Sequence, residues 1–254
     1  MKKILYSITS FLIMLSCSHS EGEKNLSEKQ KEETYEEAAT TIIIKEKQDM
    51  YPELTAYIGK LVEEFDQIPE ERKEILSEMA EYVSQKKSKN EESNLIFICT
   101  HNSRRSHLSQ IWSITAAHYY GIQENIYTYS GGTESTAFNP RAVAALERAG
   151  FSITSTQENN PHYTVKFSDG INGQECFSKK YDNPYNPREN FMAVMTCSEA
   201  DEACPIVRGA SARISLPYID PKVSDGTELE QKTYDERSRQ IAIEMFYAMS
   251  LISA

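Results

Sequence analysis

A cysteine and an arginine six positions apart are the first residues whose types and spacing could do chemistry. In "LIFICTHNSRRSHLSQ", Cys99 ends an apolar run and Arg105 opens a helix-like pattern. A loop between a parallel strand and a helix presents main-chain amides and the positive end of the helix dipole to an anion. The same field stabilises a thiolate, and arginine can hold two oxygens of a tetrahedral anion. The segment predicts a nucleophilic cysteine in an oxyanion-binding loop; a buried structural cysteine at a strand end is the alternative. The predicted oxyanion-binding residues are Thr100, His101, Asn102, Ser103, Arg104, Arg105 and Ser106.

Two further thiols stand close together in "TCSEADEACP", at Cys197 and Cys204. In a regular helix their Cα atoms would lie roughly 10 Å apart, because each residue adds about 1.5 Å. A disulfide needs Cα atoms within about 7 Å. A bridge between these two cysteines therefore requires the segment to loop or to unwind. The alternative is a pair of small buried thiols.

The elements that must position these residues alternate between strands and helices. Helical patterns run from Ser106 to about Tyr120 and from a cap at Asn139 to Gly150, and Glu228 to Leu251 is a long amphipathic helix. The strand-like runs are "LIFI", "IYTYS", "FMAVMT" and "ARISL". This order predicts an α/β fold with a parallel sheet. Turn signals at Asp169-Gly170 and Asn172-Gly173 predict an inserted β-hairpin.

The N-terminal third has a different character. Residues 1–17 have the layout of a bacterial lipoprotein signal, with Cys17 as the lipidated residue, unless translation begins at Met50. Residues 18–50 form a charged, flexible tether, and 51–88 contain two amphipathic patterns that predict a helical hairpin. A functional signal would place the protein in the cell envelope, facing the periplasm; a start at Met50 would leave it cytoplasmic. The net charge of −11 argues against a nucleic-acid partner.

The oxyanion loop resembles that of the low-molecular-weight protein tyrosine phosphatase superfamily, which includes thioredoxin-coupled arsenate reductases. The similarity continues through "YSGGTESTAFNPRAVAALERAGFSI" to Asp220-Pro221 and covers residues 94–254. It implies a catalytic domain with a four-stranded parallel sheet and helices on both faces. It also implies that Asp220 is the general acid that protonates the departing oxygen, a role that suits a carboxylate in a loop over the anion.

The second cysteine pair favours the reductase branch. "TCSEADEACP" resembles the reductase pattern C-S-x-A-D-x-x-C-P, whereas a phosphatase needs only Cys99. The resemblance implies a relay in which Cys99 attacks arsenate, Cys197 attacks Cys99, Cys204 attacks Cys197, and a thioredoxin-like protein reduces the resulting disulfide. A phosphatase acting on phosphomonoesters and a non-catalytic anion or redox sensor stay open as alternatives. "YIDPKVSDGTE" shows no aromatic wall for a phosphotyrosine ring. The oxidising envelope would favour the phosphatase, because a disulfide would accumulate there without a dedicated reductant.

Several positions depart from the family pattern. Arg104 stands where a second cysteine is common, His101 replaces a glycine, and Gln110 replaces an acidic residue near a potassium site, so we predict no bound ion and no cofactor. The histidines show no metal-ligand spacing with the cysteines. Cys176 lies in the inserted hairpin and is expected to be a bystander.

Overall fold

The computed structural model describes residues 50–252. The predicted lipoprotein signal, Cys17 and nearly all of the tether lie outside these residues. Within them, no helix is both long enough and apolar enough to cross a membrane.

A four-stranded parallel sheet forms the centre of the fold. Its strands are β1 (Ser93–Cys99), β2 (Ile126–Gly132), β6 (Phe191–Met195) and β7 (Ala210–Ser215), in the spatial order β2-β1-β6-β7. β1 and β6 are buried along their whole length, as expected for central parallel strands, and their apolar runs are Leu95–Cys99 and Phe191–Met195. The predicted α/β class and the four-stranded parallel sheet are confirmed.

Helices cover the two faces unequally. On one face, α3 (Arg105–Tyr119) packs on β1 and β2, α6 (Glu230–Ser250) packs on α3, and α4 (Pro140–Arg148) packs on α6. The other face carries the short α5 (Ser198–Ala203) against β1 and β6. Successive side chains of β1 enter the two cores alternately, with Leu95 and Phe97 in the larger and Ile96 and Ile98 in the smaller.

The N-terminal helical hairpin consists of α1 (Pro52–Val62) and α2 (Glu70–Ser88), joined through a short 3₁₀ turn at Phe65–Gln67. Proline at the first position of α1 suits a helix start, where its missing N–H costs nothing. The hairpin packs on α6 and adds its apolar stripe to the larger core. Its fully buried side chains are Leu54, Ile58, Leu61, Leu76, Met79 and Val83.

The inserted hairpin is part of a three-stranded antiparallel sheet, one strand more than the sequence predicts. β4 (Tyr163–Lys166) and β5 (Gln174–Cys176) form the predicted hairpin, and β3 (Ser152–Ser155) pairs with β4. The chain then returns to the main sheet, where Gly132 N donates to Lys179 O at 2.9 Å and Tyr181 N donates to Gly132 O at 3.0 Å. The insertion therefore ends beside the carboxyl end of β2, next to the predicted oxyanion loop.

Candidate active site

The predicted nucleophile and the predicted anion ligand bracket the loop at the carboxyl edge of the sheet. Cys99 is the last residue of β1, and Arg105 is the first residue of α3. Asn102 supplies the tight turn between them with a left-handed backbone φ of 45°, a conformation that asparagine tolerates better than most residues. Among the described residues with positive φ, His101 does not occur, so histidine in place of glycine imposes no left-handed strain there.

A chain of hydrogen bonds supports the Cys99 sulfur from below. The Ser106 hydroxyl lies 3.1 Å from Cys99 Sγ and accepts a hydrogen bond from Asn102 Nδ2 at 2.9 Å. Asn102 Oδ1 in turn accepts from the main-chain N–H of Lys179 at 2.8 Å. Because Ser106 accepts from Asn102, its own hydrogen is free to point at the sulfur and stabilise a thiolate.

The main chain of the loop directs its carbonyls outward. The carbonyl of Thr100 accepts from Glu134 N at 2.8 Å, that of Ser103 accepts from Asn139 N at 2.8 Å, and that of His101 accepts from Ser178 Oγ at 3.1 Å. Within residues 50–252, no amide between positions 100 and 105 donates to another protein group. The amides are therefore available to an anion seated above Cys99.

Arg105 joins the loop to the predicted general acid. Its Nη2 donates to Asp220 Oδ2 at 2.8 Å and its Nη1 donates to the carbonyl of Tyr218 at 3.0 Å. Its Nε is buried and has no partner among the described residues, so this donor is left for a ligand. Asp220 begins a 3₁₀ turn, Pro221–Ser224, and accepts from Lys222 N at 3.1 Å. The structure thus brings the predicted nucleophile, anion ligand and acid to one edge of the sheet.

The Arg104 side chain faces carboxylates of the acid loop. Its Nε donates to the Tyr234 hydroxyl at 2.9 Å and lies 3.8 Å from Asp220 Oδ1, and its Nη2 lies 3.8 Å from Asp225 Oδ2. Burial raises the pKa of Tyr234 to about 12, so its hydroxyl stays protonated and donates to Asp225 at 2.8 Å. Arg104 therefore connects the oxyanion loop to the segment that carries Asp220.

The exposed side chain of His101 points to the rim. Its Nε2 lies 3.7 Å from Glu134 Oε2. An anion-binding role for the side chains of Arg104 and His101 stays a prediction.

The second predicted thiol lies at the end of the neighbouring strand. Cys197 follows β6 and caps α5; its Sγ lies 3.4 Å from Thr100 Oγ1 and accepts from Ala200 N at 3.4 Å. It is buried in the smaller core together with Cys99. Burial raises the pKa of Cys197, partly offset by these two hydrogen bonds and by Arg105. Cys197 is thus held in its thiol form beside the oxyanion loop.

The third predicted thiol, Cys204, caps the opposite end of the same short helix. It is half-buried, and its N–H donates to Ala200 O at 3.0 Å. Cys99, Cys176, Cys197 and Cys204 are all free thiols in this structure. Helix α5 lies between Cys197 and Cys204. A disulfide between these two cysteines would therefore require the helix to unwind.

The remaining polar side chains near the site have structural surroundings. His107 is fully buried and stacks on Phe138, and burial, followed by the charge of Lys179, lowers its pKa to about 3. Gln110 Nε2 donates to Thr128 O at 3.2 Å. Within the described part of the chain, no group of three acidic, histidine or cysteine side chains could hold a metal ion. Cys176, the last residue of β5, is fully buried within the insertion.

Sequence reasoning did not find Lys179, Tyr218 and Tyr234, which contact the loop or its arginines. Each belongs to a segment far along the chain from residues 99–106. No local spacing links them to the loop, so only the three-dimensional fold could identify them.

Comparisons with known proteins agree with the predicted resemblance. No protein-family model matches the chain. The arsenate reductase of Bacillus subtilis (strain 168) is 27% identical over 145 residues, which are 57% of this chain and 86% of the relative. An arsenate reductase of Staphylococcus epidermidis (strain ATCC 12228) is 26% identical over 152 residues, 60% of this chain and 94% of the relative.

Solved structures with a similar chain include an arsenate reductase in the phosphate binding state. It has 18% sequence identity and a TM-score of 0.42, and covers 63% of this chain and 99% of its own. A low-molecular-weight protein tyrosine phosphatase from T. tengcongensis has 12% identity and a TM-score of 0.43, with 63% and 99% covered. The curated relatives confirm the resemblance of this chain to bacterial arsenate reductases.

Proposed function

We propose that this protein reduces arsenate to arsenite through three cysteines that act in turn. The observation that carries the proposal is the position of Cys197, whose sulfur contacts Thr100 of the oxyanion loop, one residue from Cys99. The similarity of this chain to curated arsenate reductases supports the same reaction. Phosphoryl transfer needs only Cys99, so that function leaves the position of Cys197 beside the loop unexplained.

The first step captures the oxyanion and forms a bond from sulfur to arsenic. The free loop amides and Arg105 Nε hold three oxygens of arsenate, and the Cys99 thiolate attacks arsenic. One oxygen leaves as water, protonated by Asp220, which already lies 2.8 Å from Arg105 Nη2. Arsenic is still in the +5 state after this exchange of ligands.

The second step transfers two electrons to arsenic. The Cys197 thiol gives its proton to an oxygen of the bound arsenic group as its sulfur attacks Cys99 Sγ; the sulfur–arsenic bond breaks, and its electron pair stays on arsenic, which leaves as arsenite in the +3 state. A disulfide between Cys99 and Cys197 results. Cys204 then attacks Cys197, which releases the Cys99 thiolate and moves the disulfide to residues 197 and 204. A thioredoxin-like dithiol protein reduces that disulfide and is itself oxidised.

The decisive experiment compares Cys204→Ser with Cys176→Ser in the purified full chain. Cys204→Ser is expected to release one equivalent of arsenite per enzyme and then stop with a disulfide between Cys99 and Cys197. Cys176→Ser is the matched control, since Cys176 is buried away from the relay, and it should turn over repeatedly with thioredoxin and thioredoxin reductase. Sustained reduction by Cys204→Ser would exclude the relay.

Phosphomonoester hydrolysis is the second candidate, and one observation favours it. Phosphoryl transfer to cysteine would need only the roles proposed for Cys99, Arg105 and Asp220, and the contacts of these three residues involve neither of the other two thiols. Under this function, hydrolysis of p-nitrophenyl phosphate is unchanged in Cys204→Ser and arsenate-dependent oxidation of thioredoxin is absent from the wild type. The two assays on the wild type and Cys204→Ser therefore separate the functions.

We also propose that the mature protein is a lipoprotein of the cell envelope, attached through Cys17. The basic start, short apolar run and small residues before Cys17 support this location. Metabolic labelling with an alkyne fatty acid should mark the wild type and not Cys17→Ser. A chain that starts at Met50 and fractionates with the cytoplasm would overturn the proposal.

A further inference from the structure

An ion pair with a buried carboxylate connects the N-terminal hairpin to α6. Arg72 on α2 donates from Nε to Glu244 Oε1 at 2.7 Å and from Nη2 to Glu244 Oε2 at 2.6 Å. Glu244 lies on α6, and its side chain is only 3% exposed. Two parallel hydrogen bonds between a guanidinium and a carboxylate fix the relative orientation of the two side chains as well as their distance.

The same pair holds the segment that leads to the predicted general acid. The Tyr218 hydroxyl donates to Glu244 Oε2 at 2.7 Å, and Arg72 Nη1 donates to the carbonyl of Pro217 at 3.2 Å. The Arg72 guanidinium also lies over the Tyr218 ring, 5.0 Å from its centroid. Arg72 and Glu244 therefore hold the main chain at Pro217 and the side chain of Tyr218, three and two residues before Asp220.

Tyr218 is held from the active-site side as well. Its carbonyl accepts from Arg105 Nη1 at 3.0 Å, and its N–H donates to Thr196 O at 3.1 Å, next to Cys197. Tyr218 thus contacts Arg72 and Glu244 on one side and, on the other, Arg105 and the residue before Cys197. A shift of Tyr218 would move Asp220 and one of the hydrogen bonds that orient Arg105.

We propose that Arg72 is a positioning residue, and that the helical hairpin braces the acid loop over the oxyanion site through Arg72, Glu244 and Tyr218. The inference rests on the roles proposed for Arg105 and Asp220 and holds for either chemistry. Docking of the hairpin does not require this pair, because the hairpin already buries a continuous apolar stripe. A second ion pair from the hairpin to α6, Glu64 with Arg239, is half-buried, and the contacts of these two residues within residues 50–252 do not reach the acid loop.

The first test uses Arg72→Met and the matched control Arg239→Met in the full chain, each with aryl phosphates of different leaving groups. A misplaced acid matters most for a poor leaving group, which needs the proton. In Arg72→Met, kcat/KM for phenyl phosphate is expected to fall about tenfold more than kcat/KM for 2,4-dinitrophenyl phosphate, since this quantity reports departure of the leaving group and not hydrolysis of the shared phosphoryl-cysteine. In Arg239→Met the ratio should equal that of the wild type. A uniform loss for both substrates in Arg72→Met would mean that the pair serves stability alone and would overturn the proposal.

The second test does not depend on activity. Amide hydrogen exchange of residues 218–225 is expected to rise at least several-fold in Arg72→Met and in Tyr218→Phe, and to stay at the wild-type rate in Arg239→Met. Tyr218→Phe removes only the hydroxyl, so it decides the question if Arg72→Met fails to fold. Unchanged exchange in Tyr218→Phe would overturn the bracing. If the wild type shows neither activity, the proposed function fails while the exchange result still answers the structural question.

Discussion

The loop that binds the oxyanion and the segment that carries the other two thiols are built differently, although they lie side by side. In residues 99–106, the carbonyls of the loop and Asn102 Oδ1 have partners from distant parts of the chain, and the Cys99 sulfur has Ser106 of the same loop as its partner. In residues 197–204, a helix of six residues connects the two cysteines, and Cys204 is half-buried at its end.

This difference matches the chemistry proposed for each region. Capture of a tetrahedral anion depends on donors that are already in place, since reorganisation would weaken the stabilisation of charge. A disulfide relay depends on the opposite property, because Cys197 must form a bond first with Cys99 and then with Cys204 across α5. The rigid region should therefore be sensitive to single lost donors, whereas the relay region should be sensitive to how easily its helix opens.

Arg105→Lys should have the largest effect, because it disrupts the capture region that both candidate functions share. Lysine loses the fork that holds Asp220 and Tyr218 together and leaves no Nε for the anion. We expect kcat to fall by about 10²- to 10³-fold for arsenate reduction and for aryl phosphate hydrolysis alike. Arg148→Lys, which alters an exposed pair with Asp235, is the control and should retain activity. A loss confined to the reductase assay would contradict the shared role.

Ser106→Ala should come next, because it removes the hydroxyl beside Cys99 Sγ and leaves Asn102 Nδ2 without its partner. A hydrogen bond to a charged group contributes about 1.5–3 kcal/mol, which corresponds to a loss of about 10- to 100-fold. The measurement is the rate of Cys99 alkylation by iodoacetamide at pH 7, read by mass spectrometry. Ser109→Ala is the control, as that hydroxyl bonds only to Arg105 O. Equal rates in Ser106→Ala and the wild type would show that the hydroxyl does not support the thiolate.

Much of the fold around the site can be predicted from the sequence. Apolar runs, caps and turn residues encode β1, α4 and the hairpin of the insertion locally, and Asn139 indeed caps α4 by accepting from Arg141 N. The cysteine–arginine spacing encodes the loop, because strand, loop and helix are consecutive in the chain.

The residues from other segments that contact the loop or hold the segment before Asp220 could not be predicted from the sequence. Lys179, Tyr218 and Arg72 act through contacts between segments separated by 77 to 172 residues. Such contacts depend on the order of strands in the sheet and on where the insertion returns to it. The third strand of the small sheet escaped prediction for a related reason, since Ser152–Ser155 is a short, mostly exposed strand with little apolar pattern.

A third prediction concerns the acid stability of the capture region. His107 is buried in α3, and burial lowers its pKa from 6.5 to about 3, so the native state keeps it neutral while the unfolded chain protonates it. Between these two values the unfolded state binds more protons, and stability must fall as the pH falls. Between pH 6 and 4, protonation of His107 in the unfolded chain should cost the wild type about 1.4 kcal/mol of unfolding free energy per pH unit. His107→Leu should not show this part of the loss.

Urea denaturation at several pH values measures this slope. His101→Leu is the control, because the side chain of His101 is exposed and lies 3.7 Å from Glu134 Oε2. An identical slope in His107→Leu and the wild type would show that His107 does not contribute to acid lability.

The smallest predicted effect lies in the relay region and tests whether its helix must open. Asp201 ties α5 to β7, since its carboxylate pairs with Arg213 and accepts from Ser215 Oγ at 2.6 Å. Arg213 also donates to the carbonyl of Cys204 at 3.2 Å, so this contact stabilises the helical state in which the two cysteines are apart. Asp201→Asn weakens a partly exposed pair whose contribution is about 0.2–1 kcal/mol, and the disulfide between Cys197 and Cys204 should form up to about fivefold faster in a single turnover.

Glu202→Gln removes the same charge from the next, exposed position and should leave the rate unchanged. Rapid quenching followed by mass spectrometry of the oxidised peptide gives the rate, and a slower rate in Asp201→Asn would mean that the closed helix aids the transfer rather than delays it.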